Sequence, residues 1–320
     1  MIKISEIRKS DNKIVVLGNH ESIIQSILDF DYLSGKKEGS ISSIVTGRRG
    51  FAKYFWGRKE ILVPTLASLS PLPFSLGPDH KLWLLNLLSG RRTNSATQEF
   101  FLNHPAAAGA ALFAENVPEL HAQDLIKQLD SKLVVGPSSI GLLIPGYLKL
   151  GPIGGITPDQ INDSHLTEAG SIAILSASGG MTNELINIAM TCGHRLSFAL
   201  SFGGDRFPIL SPRDAFIQAE QDPKTKIVLY YGELGGDDEY ELVKLKSEGL
   251  FTKQVIAHVA GTVSSLFPES PQFGHAKAKA DSSKSTALAK RDALRSAGFQ
   301  VSNSFSEFIT LVSKLKSHYG

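Results

Sequence analysis

Residues 271 to 280 read PQFGHAKAKA, a histidine set among glycine and alanine downstream of an apolar run. A neutral imidazole is a competent nucleophile toward a phosphoryl group, so phosphoryl capture and transfer is the chemistry that His275 could perform. Two further groups are then required. The ring's other nitrogen needs an acceptor that fixes the tautomer, and Glu233 of GELGG (232–236) is the candidate. The phosphoryl group needs an anion site, and SASGGMTNELINIAM offers one: Ser178, Gly179 and Gly180 precede a helix expected from Met181, whose first amides have no partner within the helix. An ordinary turn, with Ser178 or Thr182 capping the helix, explains the same residues equally well.

These groups must be carried by a common frame, and the apolar runs supply it. SIAIL (171–175), LSFALSF (196–202), KIVLYY (226–231) and QVIAHV (254–259) read as strands, each followed by a glycine-containing loop and a helix-like segment. Strands alternating with helices predict a parallel sheet, and ligands bind such sheets beyond the carboxyl ends of the strands. The loops SASGG (176–180), GGD (203–205), GELGG (232–236) and AGTVSSLFPESPQFGHA (260–276) are therefore expected on one edge. A first series has strands KIVVL (13–17), LWLLNLL (82–88), AALF (110–113) and KLVV (132–135), with helices over 22–30 and 117–129. The predicted class is α/β with two domains: residues 1–150, a glycine-rich connection over 151–170, and residues 171–320.

Composition narrows the function classes. The chain has 320 residues, 42% hydrophobic and 20% charged, with a formal net charge of +2. That is ordinary for a protein with a sizeable core, and bulk charge points to neither a nucleic-acid nor a membrane partner. The local runs GRRG (47–50) and SGRRTNS (89–95) could still hold phosphates. A single cysteine, Cys192, excludes an internal disulfide framework and fits a reducing compartment; its expected place is as a small apolar residue on a helix. The N-terminal run lacks the apolar core of a signal peptide, so a cytoplasmic location is expected. The other eight histidines have no partner pattern, and no zinc site is expected. VLGNHES stands where a dinucleotide fingerprint would be, and there is no P-loop.

The tracts GPSSIG with PGYLKLG, SASGGMTNELINIA, FGGDRFP, GELGGDDEY and QFGHAKAKADS with ALAKRDALRSAGF resemble the α-subunit side of the nucleotide-forming acyl-CoA synthetases. The starts GGMTNEL and GGDR, with LDFDY (28–32) and YFWGRKEILVP (54–64), are similar to the citrate branch of that family, the citryl-CoA synthetase portion of the ATP-citrate lyases. The resemblance implies a Rossmann-like CoA-binding domain followed by a flavodoxin-like ligase domain. It further implies that ATP phosphorylates His275, that citrate takes the phosphoryl group to form citryl phosphate, and that the CoA thiol displaces phosphate. By the same resemblance Glu233 orients His275, Ser178, Gly179 and Gly180 touch citrate and the phosphoryl group, and Ser89 and Arg91 contact CoA. Mg-ATP would be bound by an ATP-grasp partner in a hetero-oligomer, and a separate citryl-CoA lyase would cleave the product, since the sequence ends without a lyase domain. Ala177 stands where the family usually has arginine and Lys277 where it has glycine, and 65–80 is unlike the family. Succinate, malate or another carboxylate therefore stays open as the substrate, as does a non-catalytic CoA-binding role.

Overall fold

The computed structural model describes residues 1–69, 72, 77, 79–272, 274, 275 and 278–316. Lys277, Ala276 and His318 lie outside the described residues, as does most of the 70–78 stretch. The first unit contains helices α1 (Ile4–Ile7), α2 (Glu21–Leu33), α3 (Gly90–Asn103) and α4 (Glu119–Leu129). Its strands are β1 (Asp11–Leu17), β2 (Ile41–Val45), β3 (Gly50–Trp56), β4 (Lys59–Leu66), β5 (His80–Asn86), β6 (Gly109–Leu112) and β7 (Leu133–Val135). They form one sheet in the order β3-β4-β2-β1-β5-β6-β7, parallel except for the antiparallel β3–β4 hairpin.

The second unit begins with β8 (Leu142–Ile144), β9 (Leu148–Leu150) and α5 (Pro158–Asp163). Then come β10 (Ile172–Ser176), α6 (Gly179–Thr191), β11 (Leu196–Ser201), α7 (Pro212–Gln221), β12 (Ile227–Glu233) and α8 (Asp238–Ser247). It closes with β13 (Gln254–Ala260), α9 (Ala287–Ser296), β14 (Gln300–Val301) and α10 (Phe305–Ser313). Its sheet order is β14-β13-β12-β10-β11-β8-β9; β10 to β14 are parallel, and β8 and β9 add as antiparallel strands beyond β11. The fold is thus α/β with two parallel-dominated sheets, the class expected.

Burial explains why these runs are strands. Every residue of β10 and of β11 is buried, as the central strands of a sheet covered by helices on both faces require. In α2 the buried Ile23, Ile24, Ile27 and Leu28 recur at helical spacing and form the stripe that packs on the sheet. Several parts of the sheets are not marked by apolar runs, the serine-containing β2 and the two-residue β14 among them. The hairpin β3–β4 alternates exposed and covered residues, and its Phe51, Phe55 and Leu62 face outward. The strands β8 and β9 are three residues each and fall within the stretch assigned from sequence to the first domain, yet they hydrogen-bond into the second sheet, because Leu142 and Leu143 pair with Leu200 and Ala199.

The two sheets share one apolar cluster, in which Ile14, Val16 and Ile27 from the first unit join Leu142, Leu148 and Phe198 from the second. Polar groups reinforce that seam. The α1 amide of Ile4 donates to Gln218 Oε1 (3.2 Å), and Arg8 pairs with Asp222 and donates to the Ser197 carbonyl. Lys149, fully buried on β9, donates to Ser26 Oγ of α2 and to the Gly151 carbonyl, each at 2.9 Å. Among the described residues no helix is long and apolar enough to cross a membrane.

A candidate active site at the meeting of the two sheets

Because β10 to β13 run parallel, the four glycine loops do emerge on one edge. β10 lies between β11 and β12, so the crevice of this sheet opens where the chain leaves β10 for α6. Strand-end hydroxyls fix that loop. Ser176 Oγ donates to the Tyr231 carbonyl and accepts from the Ser178 amide, and Ser201 Oγ donates to the Ala177 carbonyl. Ser178 is the N-cap of α6, its Oγ accepting from the Met181 amide at 3.4 Å, and the helix starts at Gly179 rather than at Met181. Gly179 has to be bare, since a Cβ there would stand 2.5 Å from Ile140 Cγ2, whereas Gly180 opens onto space. Ala177 is buried in the shared apolar cluster.

Glu233 ends β12, and His275 arrives on the long loop after β13, which passes through a 3-10 turn over Thr262–Leu266. The sequence separates them by 42 residues; the fold brings His275 Nδ1 to 2.8 Å from Glu233 Oε1 and 3.1 Å from Oε2. Both side chains are partly sheltered, at 26% and 16% exposure. A carboxylate can only accept here, so Nδ1 carries the proton and Nε2 is the unprotonated nitrogen of the neutral ring. Behind the ring lies Gly204, where a Cβ would come within 2.5 Å of Cδ2 and 2.8 Å of Nε2. Its neighbour Asp205 accepts from the amides of Asn116 (3.2 Å) and Val117 (3.0 Å) in the loop after β6, tying the two units together beside the ring. Burial pushes the Asp205 carboxyl up, against the lowering effect of those two amides and of His275.

His275 opens on a cleft of about 590 Å³ whose wall includes Ser89, Gly90, Ser138, Ile140, Gly179 and Gly180. The N-termini of α3, 14 residues long, and of α6, 13 residues long, both face it. Each brings a positive dipole end and unpaired amides, which suits an anion. Ser89 stands at the N-cap position of α3 without a side-chain bond to the helix amides, while Arg91 lies exposed on its first turn. The next residue, Arg92, lines a second cleft of about 460 Å³ at the carboxyl ends of β1 and β2, with Gly18, Asn19, Thr46 and Gly47. The two clefts share Leu88. The site therefore joins His275, Glu233, the Ser178 loop and Ser89. The sequence reading did not single out Gly204, Ser138, Ile140 or Arg92. GGD, GRR and GPSSIG flagged those loops, but nothing local announces that Gly204 forms the floor under a distant ring.

Residues 175–299 match the CoA-ligase family model. Along nearly all its length, 97%, the chain is 34% identical to the probable ATP-citrate synthase subunit 1 of Schizosaccharomyces pombe, of which it covers 50%. This chain is a homologue of the ATP-citrate synthases. Its backbone superposes on the ATP citrate lyase of Methanothrix soehngenii, solved in complex with citrate and coenzyme A, with a TM-score of 0.90 and 34% identity, over 97% of this chain and 50% of that one. The same values hold for a variant ATP citrate lyase of Methanosaeta concilii in complex with (3S)-citryl-CoA. The chain spans about half the length of these ATP-citrate synthase relatives. The resemblance read from the motifs is thereby confirmed at the level of the family, and the CoA-ligase match sets the second unit within a family of enzymes.

Proposed function

We propose that this chain is the CoA-binding, histidine-bearing part of an ATP-dependent citryl-CoA synthetase. The observation that carries the reading is the imidazole of His275, held at Nδ1 by Glu233 beside a cleft onto which two helix N-termini open. Nε2 attacks the terminal phosphorus of ATP and ADP leaves. A citrate carboxylate oxygen then takes the phosphoryl group, which returns the ring to its neutral form and makes citryl phosphate. Finally the CoA sulfur adds to the acyl carbonyl and phosphate departs, the thiol proton passing to solvent or to a nearby base. Glu233 supports the positive ring formed in the first step without moving far, as preorganised charge should.

The remaining roles follow from placement. Ser178, Gly179 and Gly180 would receive the citrate and phosphoryl oxygens at the start of α6, which Ser178 caps. The two linked clefts suit an extended, anionic thiol ester: its phosphates near Ser89, Arg91 and Arg92 at the start of α3, its thiol end toward His275. Mg-ATP would come from an ATP-grasp partner in a hetero-oligomeric cytoplasmic assembly, and cleavage of citryl-CoA would fall to a further lyase component. The domain reading proposed is a Rossmann-like unit for CoA and a flavodoxin-like unit for the phosphohistidine.

The test is to co-express the chain with an ATP-grasp partner from the same organism, add labelled Mg-ATP, and look for an acid-labile, base-stable phosphoryl group on this chain, with His275→Asn as control. Label that discharges with citrate and CoA but not with succinate or malate supports the reading. Discharge by another acid changes the substrate. No label on a stable complex that still binds CoA leaves a non-catalytic CoA-binding role.

A further inference from the structure

Directly beneath the Glu233 loop lies an ion pair cut off from solvent. The side chains of Lys290 on α9 and Glu239 on α8 are 1% and 0% exposed, with Nζ 2.7 Å from Oε2, a close approach outside hydrogen-bond alignment. The ammonium group donates to the Glu233 carbonyl (2.8 Å) and to the Gly235 carbonyl. Tyr230 donates its hydroxyl to Glu239 Oε1 at 3.1 Å, and a Cβ on Gly232 would lie 2.0 Å from that same oxygen. The backbone from Tyr230 to Gly235 is thus seated on this pair. Burying two ions carries a desolvation penalty that their attraction has to offset, and apolar pairs of similar volume are often as stable. A Met–Leu pair could fill the space, but it could not grip two carbonyls and fix the direction in which Glu233 leaves the strand.

We infer that Lys290, braced by Glu239, is a positioning residue: it sets the Glu233 main chain so that the carboxylate meets His275 Nδ1 and selects the tautomer with Nε2 unprotonated. Its functional meaning rests on the proposed phosphohistidine, while the geometry itself can be read in the chain without any reaction.

The experiment is nitrogen-15 NMR of the histidine-labelled chain, with the His275 ring assigned by its loss in His275→Asn. The double variant Lys290→Met/Glu239→Leu leaves no orphaned charge, and Glu233→Gln gives the reference for a lost carboxylate. Asp205, a second acid acting on the ring, is unchanged in each. The expected result is a smaller Nδ1–H population and a titration midpoint lowered toward that of Glu233→Gln by about 0.5 pH unit or more, since the carboxylate favours the charged ring. A folded double variant with the native tautomer and midpoint would overturn the inference. Should the double variant not fold, Tyr230→Phe and Lys290→Arg must shift the midpoint in the same direction, and an unchanged midpoint in both overturns it equally. The phosphorylation assay is read separately. A ring that responds in a chain never labelled by ATP ends the phosphohistidine reading alone, and a labelled chain whose ring ignores the substitutions ends the positioning role alone.

Discussion

At Gly204 one methyl group decides where the imidazole can stand. The backbone there is not left-handed, so alanine meets no φ strain, and its cost is the contact with His275 Cδ2. Gly204→Ala is expected to lower the rate of His275 phosphorylation by about tenfold or more, because small misplacements of a reacting group are expensive in rate. Unfolding free energy should change by less than about 1 kcal/mol. Label incorporation measured beside calorimetry checks both, and an unchanged rate would show that the loop yields without moving the ring. Glu233 and Ser178 were legible in the sequence because each combines a reactive or capping side chain with glycine at a strand end, and His275 because it stands among glycine and alanine on the long loop after one. Gly204 was not, since its importance lies in the space it leaves for a residue 71 positions later. Arg92 differs from Arg91 only in its direction around the first turn of α3, which spacing alone does not reveal.

Among the elements, α6 carries the end proposed to bind the anion, and that end is held by its cap. Ser178→Ala is expected to destabilise the protein by about 1 kcal/mol and Ser178→Gly by only a few tenths, as N-caps behave. Denaturant unfolding with an unchanged slope is the measurement, and equal losses for the two variants would mean that the hydroxyl's bond to the Met181 amide contributes little. The buried strands β5, β6, β7 and β10 to β13 could be read directly, since a strand covered on both faces is a continuous apolar run. The hairpin β3–β4 escaped that reading because an edge pair with one wet face needs no such run. β8 and β9 escaped because three residues carry no period, and their strand character comes from the edge of β11 that they complete.

At the scale of the whole molecule, two buried ionisable groups at the seam should shape the response to pH and mutation. Burial alone would raise the Asp222 carboxyl, but Arg8 and the Thr225 hydroxyl outweigh it and hold the pKa below its ordinary value, so this group's stabilising effect is present at neutral pH and is lost as acid protonates it. Asp222→Ala strands Arg8 and should cost about 3–5 kcal/mol, while Arg8→Met/Asp222→Leu should cost far less; equal losses in thermal unfolding would argue against the pair. Lys149 runs the other way. Burial lowers it to about 7, with Asp31 and Asp29 pulling upward, and as a neutral amine its two N–H groups match the two acceptors it faces. Between about pH 7 and the ordinary lysine value near 10.5 the unfolded chain binds the extra proton, so stability should rise with pH across that window. Lys149→Met should flatten the rise, and a parallel pH profile for the variant would refute the buried neutral lysine. The strands β8 and β9 have one more consequence. The chain crosses from one sheet to the other between Val135 and Leu142, and Ser138 and Ile140 on that crossing are walls of the cleft. A fragment cut after residue 150 would carry away two strands and leave β11 as a raw edge, and a cut before 142 would sever the cleft wall itself. The halves cannot be produced as separate working pieces, nor exchanged as modules between relatives, without rebuilding the place where they would have to cooperate.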